Sequence, residues 1–191
     1  MTAQFRNIRI SISVWFAVVI MLLCIFAPEG SALTGLLCSL AHETGHLIFI
    51  KVFGAKVKSL SLGVYGMRIE CSGNLKVSHS KEAVISFAGP AVNLLLSLLA
   101  LTVHNTRLFY INVLLAVFNL LPAGKTDGWN ILYNVLIQFI DEKKTETVLK
   151  IIGTVFLTVI YFFGILIYFS SGYNFTLLAA AVYITVIFVL R

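Results

Sequence analysis

The sequence predicts an all-α membrane protein with six transmembrane helices, on the evidence of its composition, its apolar runs and the placement of its basic residues. Of the 191 residues, 59% are hydrophobic and only 12% are charged, which lies well outside the range of soluble domains. All of the 14 Lys and Arg residues except Arg107 fall on one side if the amino terminus is cytoplasmic, so the positive-inside rule predicts that both termini are cytoplasmic. Membrane topology accounts for the net charge of +6, and no nucleic-acid partner is expected.

Apolar runs recur along the chain, and a run of about 18 or more residues is long enough to cross a bilayer as a helix. We predict six membrane segments: Ile10–Ala27, Ser31–Ile50, Ala83–Val103, Leu108–Leu121, Val148–Phe169 and Tyr173–Leu190. The fourth is short because Pro122 ends it, and a second apolar piece, Trp129–Ile140, follows a polar gap. The first is long for the apolar part of a signal peptide and lacks a small-residue cleavage site, so we expect it to be retained.

No linker, repeat or low-complexity tract interrupts the sequence, which predicts a single domain over residues 1–191. Its three cysteines, Cys24, Cys38 and Cys71, lack C-x-x-C spacing. They are expected to be small buried hydrophobic residues rather than a disulfide framework or a cysteine zinc site.

The second apolar run carries ionisable groups, which a bilayer disfavours. The stretch SLAHETGHLIFI contains His42 and His46 four residues apart, so both rings project from one face of a helix, about one turn apart. This H-E-x-x-H pattern is typical of zinc hydrolases, with His42 and His46 as metal ligands and Glu43 as the general base. Lys51 marks the cytoplasmic end of the helix, so the site lies about 8 Å inside it at 1.5 Å per residue. Water is expected to enter from the cytoplasm.

The alternative is that the motif occurs by chance and the histidines are satisfied core groups. A charged side chain at the centre of a membrane helix costs about 2.5–3.5 kcal/mol even on insertion scales, so intramembrane ionisable groups are functional by default. This cost favours a metal site.

A catalytic zinc ion needs a third protein ligand and one open position. Of the eight acidic residues, only Asp127 and the glutamate of the motif lie in apolar surroundings. Asp127 follows Pro122 and Gly124 and precedes Gly128, residues that interrupt a helix. Broken backbone at membrane depth is tolerated where it is buried in protein or lines a cavity. We therefore predict Asp127 as the third ligand, against the alternative of an aspartate in an ordinary cytoplasmic turn.

Three motifs in order, AHETGH, SFAGPAVNLLLSLLA and FNLLPAGKTDGW, resemble those of the site-2 protease family of intramembrane zinc metalloproteases, over about residues 35–140. The compact six-segment layout is most similar to the branch that processes bacterial sporulation sigma factors. Lys125 and Thr126 replace the usual proline and hydrophobic residue before Asp-Gly, and Trp129 replaces a glycine after it. These departures bear on substrate range more than on chemistry.

The resemblance implies a three-helix metalloprotease core within residues 31–140, in which His42, His46 and Asp127 bind one Zn²⁺ and Glu43 activates water. It implies a multi-pass protein of a bacterial cell membrane that cleaves a membrane-associated or single-pass substrate near the cytoplasmic face. A regulatory membrane protein is a further expected partner. The PDZ and nucleotide-sensing domains of some family members have no place in this chain.

Two asparagines, Asn93 and Asn119, lie within apolar runs, where each amide needs a partner. The resemblance implies that they bind the substrate backbone or the oxyanion. The alternative is hydrogen bonding between membrane helices.

The stretch between the second and third segments predicts a β-hairpin or a short sheet. In it Leu60, Leu62 and Val64 alternate with Ser61 and Gly63, which is a period of two punctuated by glycine. A helical substrate hides its peptide bonds, so we expect an edge of this element to bind the unwound substrate as an added strand. The alternative is a cytoplasmic loop with incidental alternation.

Two other functions stay open. A metal or proton transporter would also carry histidines and carboxylates in the membrane, but it should have a relay across several helices, and the outer half of this chain has none apparent. A protease-like protein that binds membrane segments without cutting them is the other alternative, because a motif does not establish activity.

Overall fold

The computed structural model describes residues 2–5, 8–13, 21, 30–63, 66–72, 78–124, 126–170, 172 and 174–189. These residues are mainly helical, as predicted, with one four-stranded sheet. The strands are β1 Thr2–Phe5, β2 Ile8–Ile12, β3 Lys56–Gly63 and β4 Gly66–Ser72. The helices are α1 Ser31–Val52, α2 His79–Thr102, α3 Thr106–Leu120, α4 Asp127–Leu136, α5 Glu142–Ser170 and α6 Thr176–Val189. The chain divides into two compact units, Met1–Val117 and Phe118–Arg191.

Among the described helices, α1, α2 and α5 are long and apolar enough to cross a membrane. Leu95, Ile151 and Phe162 are examples of large apolar side chains on these helices that are more than half exposed, as expected for surfaces that face lipid. The chain is therefore a membrane protein. Helices α3 and α6 are apolar but shorter, with 15 and 14 residues. The number of six spans stays a prediction, because most of the first predicted segment lies outside the described residues.

The amino-terminal strands were not predicted from the sequence. Isoleucines at positions 8, 10 and 12 alternate with polar residues, and this period of two forms β2. Strand β2 pairs antiparallel with β1 and parallel with β3. The predicted start of the first helix at Ile10 is therefore wrong, since residues 10–12 belong to a strand. Of the rest of that segment, only residues 13 and 21 are described.

Strands β3 and β4 occupy the segment whose alternation predicted strands. They pair antiparallel, with Leu60 opposite Ile69 and Leu62 opposite Met67. The strand order is β1-β2-β3-β4, so β4 is the last strand on its side of the sheet.

In the amino-terminal unit, α1 packs against α2 through small residues. A Cβ atom added at Gly45 would lie 2.7 Å from the carbonyl oxygen of Ala88 and 2.9 Å from Cγ2 of Val92. Since these distances are shorter than real Cβ contacts, the absence of a side chain at Gly45 is what lets the two backbones approach. Gly45 lies inside the H-E-x-x-H motif, so the same close contact holds the motif against α2.

The carboxy-terminal unit has its own apolar core of Ala123, Leu157 and Ile184, with Phe118 and Phe188 packed on it. Helix α5 begins earlier than the predicted apolar segment, because Asp141 caps it. Its Oδ1 accepts a hydrogen bond from the backbone N–H of Lys144 at 2.9 Å. This hydrogen bond and the Lys144 ammonium hold the pKa of the Asp141 carboxyl below its usual value.

We expect Gly45→Ala and Gly35→Ala, two substitutions in the same helix, to shift stability in opposite directions. At Gly35 a Cβ meets nothing within 4 Å, so alanine should stabilise the helix by about 0.5–1 kcal/mol through its higher helix propensity. At Gly45 it would collide with the backbone of α2, and overpacking of this kind costs about 1–3 kcal/mol. Thermal unfolding in detergent measures both; equal midpoints for the two variants would contradict the described α1–α2 contact.

Candidate metal centre

His42 and His46 project from one face of α1 and meet at their Nε2 atoms, which are 3.1 Å apart. Their ring centroids are 4.8 Å apart and the ring planes are inclined by 78°. Both side chains are buried, with 5% and 8% of their surface exposed. The helical spacing of four residues therefore produces the convergence that the motif predicted.

The other ring nitrogen of each histidine contacts an oxygen. His46 Nδ1 lies 2.7 Å from the carbonyl oxygen of Ile85, and His42 Nδ1 lies 2.5 Å from Oδ1 of Asn93. A carbonyl oxygen only accepts hydrogen bonds, so Nδ1 of each ring carries a proton and donates it. In the neutral ring this leaves Nε2 unprotonated, which is the form that binds metals.

Two unprotonated Nε2 atoms at 3.1 Å direct their lone pairs at one another. This contact is repulsive unless a cation lies between them, either a proton or a metal ion. Tetrahedral zinc with Zn–N bonds of about 2.0–2.1 Å would place two histidine nitrogens roughly 3.3 Å apart, close to the observed separation. The donor atoms thus fit zinc without a large rearrangement.

Gly89 on α2 faces the same point. A Cβ atom added at Gly89 would collide with Nε2 of both His42 and His46. The space that a metal ion would occupy is therefore open only because residue 89 has no side chain. Pro90 follows it and has no N–H for the carbonyl of Ser86, so the α2 ladder is interrupted in the turn beside Ile85.

Asp127 is the first residue of α4, and its local structure explains why the chain turns there. Gly124 has a left-handed backbone, with φ of 71°, between the end of α3 and the start of α4. Thr126 caps α4: its Oγ1 accepts from the N–H of Trp129 at 3.4 Å and donates to the carbonyl of Leu121. Thr126, where the sequence departs from the family pattern, thus caps α4. The carboxylate of Asp127 lies in the first turn of this helix, where negative charge is favoured.

Asp127 lies in the carboxy-terminal unit, at the start of α4. Its role as the third metal ligand stays a prediction. Asp127 is half-buried, whereas the histidines are buried. Two imidazoles and one carboxylate are a ligand set found in catalytic zinc sites, which keep a fourth position open.

Glu43 lies on α1 next to His42, about 100° around the helix from it, and is half-buried. Its position beside the histidine pair is the one expected of a general base. Asn119 is half-buried near the end of α3. Asn93 is fully buried, and its amide contacts His42 and Asn112. The role of Asn93 and Asn119 in substrate binding stays a prediction. The sequence reasoning missed Asn112, although an amide in an apolar helix was the signal that singled out the other two.

No protein-family model matches the chain. The protein Rip3 of Mycobacterium tuberculosis, which is named as a zinc metalloprotease, is 34% identical over 114 residues, covering 52% of this chain and 29% of Rip3. A zinc metalloprotease of Methanocaldococcus jannaschii is 29% identical over 138 residues, covering 65% of this chain and 40% of that protein. The chain thus spans less than a third of the length of Rip3.

The fold is similar to a solved structure, a site-2 protease from Methanocaldococcus jannaschii. The TM-score is 0.66 at 22% sequence identity, and the match covers 96% of this chain and 91% of the other. The chain has the site-2 protease fold, which confirms the resemblance drawn from the three motifs. Its assignment to the sporulation branch stays a prediction.

Gly89→Ala is expected to abolish binding of a divalent metal, because the new methyl group would occupy the space between the two Nε2 atoms. Gly35→Ala, the same change in open surroundings, is the matched control and should bind as the wild type does. Metal content of the purified protein measures both. One equivalent of tightly bound zinc in Gly89→Ala would show that the ion lies elsewhere.

Proposed function

We propose that this chain, with its site-2 protease fold, is an intramembrane zinc metalloprotease that hydrolyses a peptide bond of a membrane-associated or single-pass substrate. The observation that carries the proposal is the pair of facing Nε2 atoms of His42 and His46 on α1. A lone buried histidine could be a satisfied core residue, but two unprotonated imidazole nitrogens directed at one point need a shared cation. The names of the similar proteins support zinc as that cation.

His42, His46 and Asp127 would hold the ion. Zinc bound there supplies Lewis-acid chemistry, activating water for attack and polarising the scissile carbonyl. Glu43, the next residue after His42, takes the proton of the attacking water and passes it to the leaving amine. The buried setting of the histidines limits water at the site and strengthens each electrostatic contact within it.

The placement of the site in the membrane follows from α1. Lys51 lies in the last turn of this helix, one turn and a half beyond His46. With both termini in the cytoplasm, this end of α1 faces the cytoplasm, and cleavage occurs near that face, as in regulated intramembrane proteolysis. Residues 31–140 form the catalytic core of a single domain, and a further membrane protein regulates it.

The substrate binds in extended form along β4. Support for this comes from the strand order, because β4 pairs with β3 on one side and its other side faces no described strand. An added strand would present its peptide bonds in an extended, accessible conformation, whereas a helical substrate would hide them. Strand β3 follows α1 after a short turn, which connects the sheet to the helix that carries the histidines.

Glu43→Gln is expected to retain one zinc ion and to lose cleavage by about 10²–10⁴-fold, the usual contribution of a general base. The glutamine keeps the size of the side chain but cannot accept the proton. Glu82→Gln, at an exposed carboxylate in the first turn of α2, is the matched control and should leave cleavage unchanged. Zinc quantification and co-expression with a library of single-pass substrates measure the two properties.

Undiminished cleavage by Glu43→Gln would show that another group is the base. Zinc binding with no cleavage of any library member by the wild type would instead favour the protein that binds membrane segments without cutting them.

Arg68→Pro and Ile69→Pro test the strand-addition hypothesis. Along an antiparallel strand, successive N–H groups point to opposite sides, so one of these substitutions removes a donor to β3 and the other a donor on the open edge. The edge variant should keep its zinc and its thermal midpoint yet lose cleavage, whereas the other should also lower the midpoint. The hypothesis is wrong if the variant with an unchanged midpoint cleaves at the wild-type rate.

A further inference from the structure

Asn112 is a buried amide in the middle of the apolar helix α3. None of the three proposed metal ligands lies on this helix. Its side chain is fully buried. Burying an amide is unfavourable unless each polar atom has a partner, so its hydrogen bonds indicate what the residue does. Those bonds lead towards His42.

The hydrogen bonds of Asn112 form a chain with one direction. Asn112 Nδ2 lies 2.9 Å from the carbonyl oxygen of Leu108, which can only accept, and this fixes which end of the amide is the donor. Asn112 Oδ1 must then accept, and it accepts from Asn93 Nδ2 at 2.9 Å. Asn93 Oδ1 is thereby turned towards His42 Nδ1, 2.5 Å away.

The direction of this chain determines the tautomer of His42. With Asn93 Oδ1 as its neighbour, His42 protonates Nδ1 and leaves Nε2 free to bind a metal. A flipped Asn93 amide would direct Nδ2 at His42 instead, and Nδ1 would have to accept. The proton would then lie on Nε2, and His42 could not be a ligand.

We propose that Asn112 is a positioning residue that holds Asn93 in the orientation required for His42 to bind zinc. The inference rests on the proposed metalloprotease function and extends it to a residue on α3 that touches neither metal nor substrate. His46 needs no such device, because its Nδ1 donates to a backbone carbonyl that cannot flip. His42 instead bonds to the side-chain amide of Asn93, which can flip, and a second amide, that of Asn112, fixes its orientation.

Cys38 is the other neighbour of Asn112 and supplies the control. Asn112 Nδ2 lies 3.2 Å from its Sγ, and a thiol sulfur is only a weak acceptor. Removing the sulfur leaves the bond to Leu108 in place, so the direction of the chain persists. Cys38→Ala should therefore bind zinc as the wild type does, although it too alters a buried contact of Asn112.

The experiment compares Asn112→Leu and Asn112→Asp, which have nearly the same size as asparagine, with Cys38→Ala. Leucine removes the acceptor that orients Asn93, whose Nδ2 then has only the Cys38 carbonyl at 3.5 Å. We expect zinc affinity to fall by about 10-fold, the lower end of the 10–100-fold effect of residues behind a metal ligand, because Asn112 acts through Asn93. Competition with a chelator measures the affinity.

Asn112→Asp is expected to restore zinc affinity. A carboxylic acid in these apolar surroundings is neutral, so its O–H can donate to Leu108 and its carbonyl oxygen can accept from Asn93. A role limited to packing would predict the opposite order, since leucine is the better side chain for a membrane helix. The order Asn ≈ Asp > Leu in zinc affinity therefore supports positioning, and Leu ≥ Asp overturns it.

The ¹⁵N chemical shifts of His42 in the zinc-loaded protein provide a readout that does not depend on any variant. The proposal requires a protonated Nδ1 and coordination through Nε2 in the wild type; coordination through Nδ1 would overturn it even if Asn112→Leu failed to fold. Failure of the proposed function is distinguishable, because a wild type that binds no zinc refutes the metal site itself. A wild type that binds zinc with the same affinity as Asn112→Leu refutes only the role of Asn112.

Discussion

The contact between the Nε2 atoms of His42 and His46 is the interaction on which the arrangement of the amino-terminal unit depends. Two lone pairs 3.1 Å apart in apolar surroundings repel unless a cation lies between them, and low dielectric increases that repulsion. The pair persists only while both Nδ1 atoms donate elsewhere, since otherwise one ring could turn or change tautomer. The carbonyl of Ile85 and the amide of Asn93 supply the two acceptors.

Two glycines allow the histidine pair to adopt this arrangement, each in a different way. Gly45 allows the backbones of α1 and α2 to approach, which brings Ile85 and Asn93 within hydrogen-bonding distance of the rings. Gly89 keeps the point in front of the Nε2 atoms open. Any side chain at the first position would separate the helices, and any side chain at the second would fill the metal space. The site therefore depends on where the chain lacks side chains as much as on its ligands.

Much of the candidate site could be predicted from the sequence, because the spacing of His42 and His46 determines their common face once α1 is a helix. Asp127 could be proposed because a carboxylate beside a broken helix needs an explanation at membrane depth. The partners of Asn93 could not be predicted, since an amide in an apolar helix has many possible neighbours and only the packing of α3 selects Asn112. Strand β2 is a different case, because its alternation over residues 8–12 is visible in the sequence but adjoins a long apolar run that favours a helix.

Most of the polar residues described as buried in the amino-terminal unit belong to one connected series of side-chain contacts. Apart from Ser97, whose hydroxyl bonds to the carbonyl of Leu94 in its own helix, those that are described as buried are the two histidines, Asn93 and Asn112. Each costs free energy in an apolar helix, and helix packing alone could be achieved with alanine or leucine at the two amides. Their hydrogen bonds end at His42, which links that cost to the protonation of one nitrogen atom. A set of helices selected only to pack in lipid would have no reason to specify which nitrogen of a buried ring carries the proton.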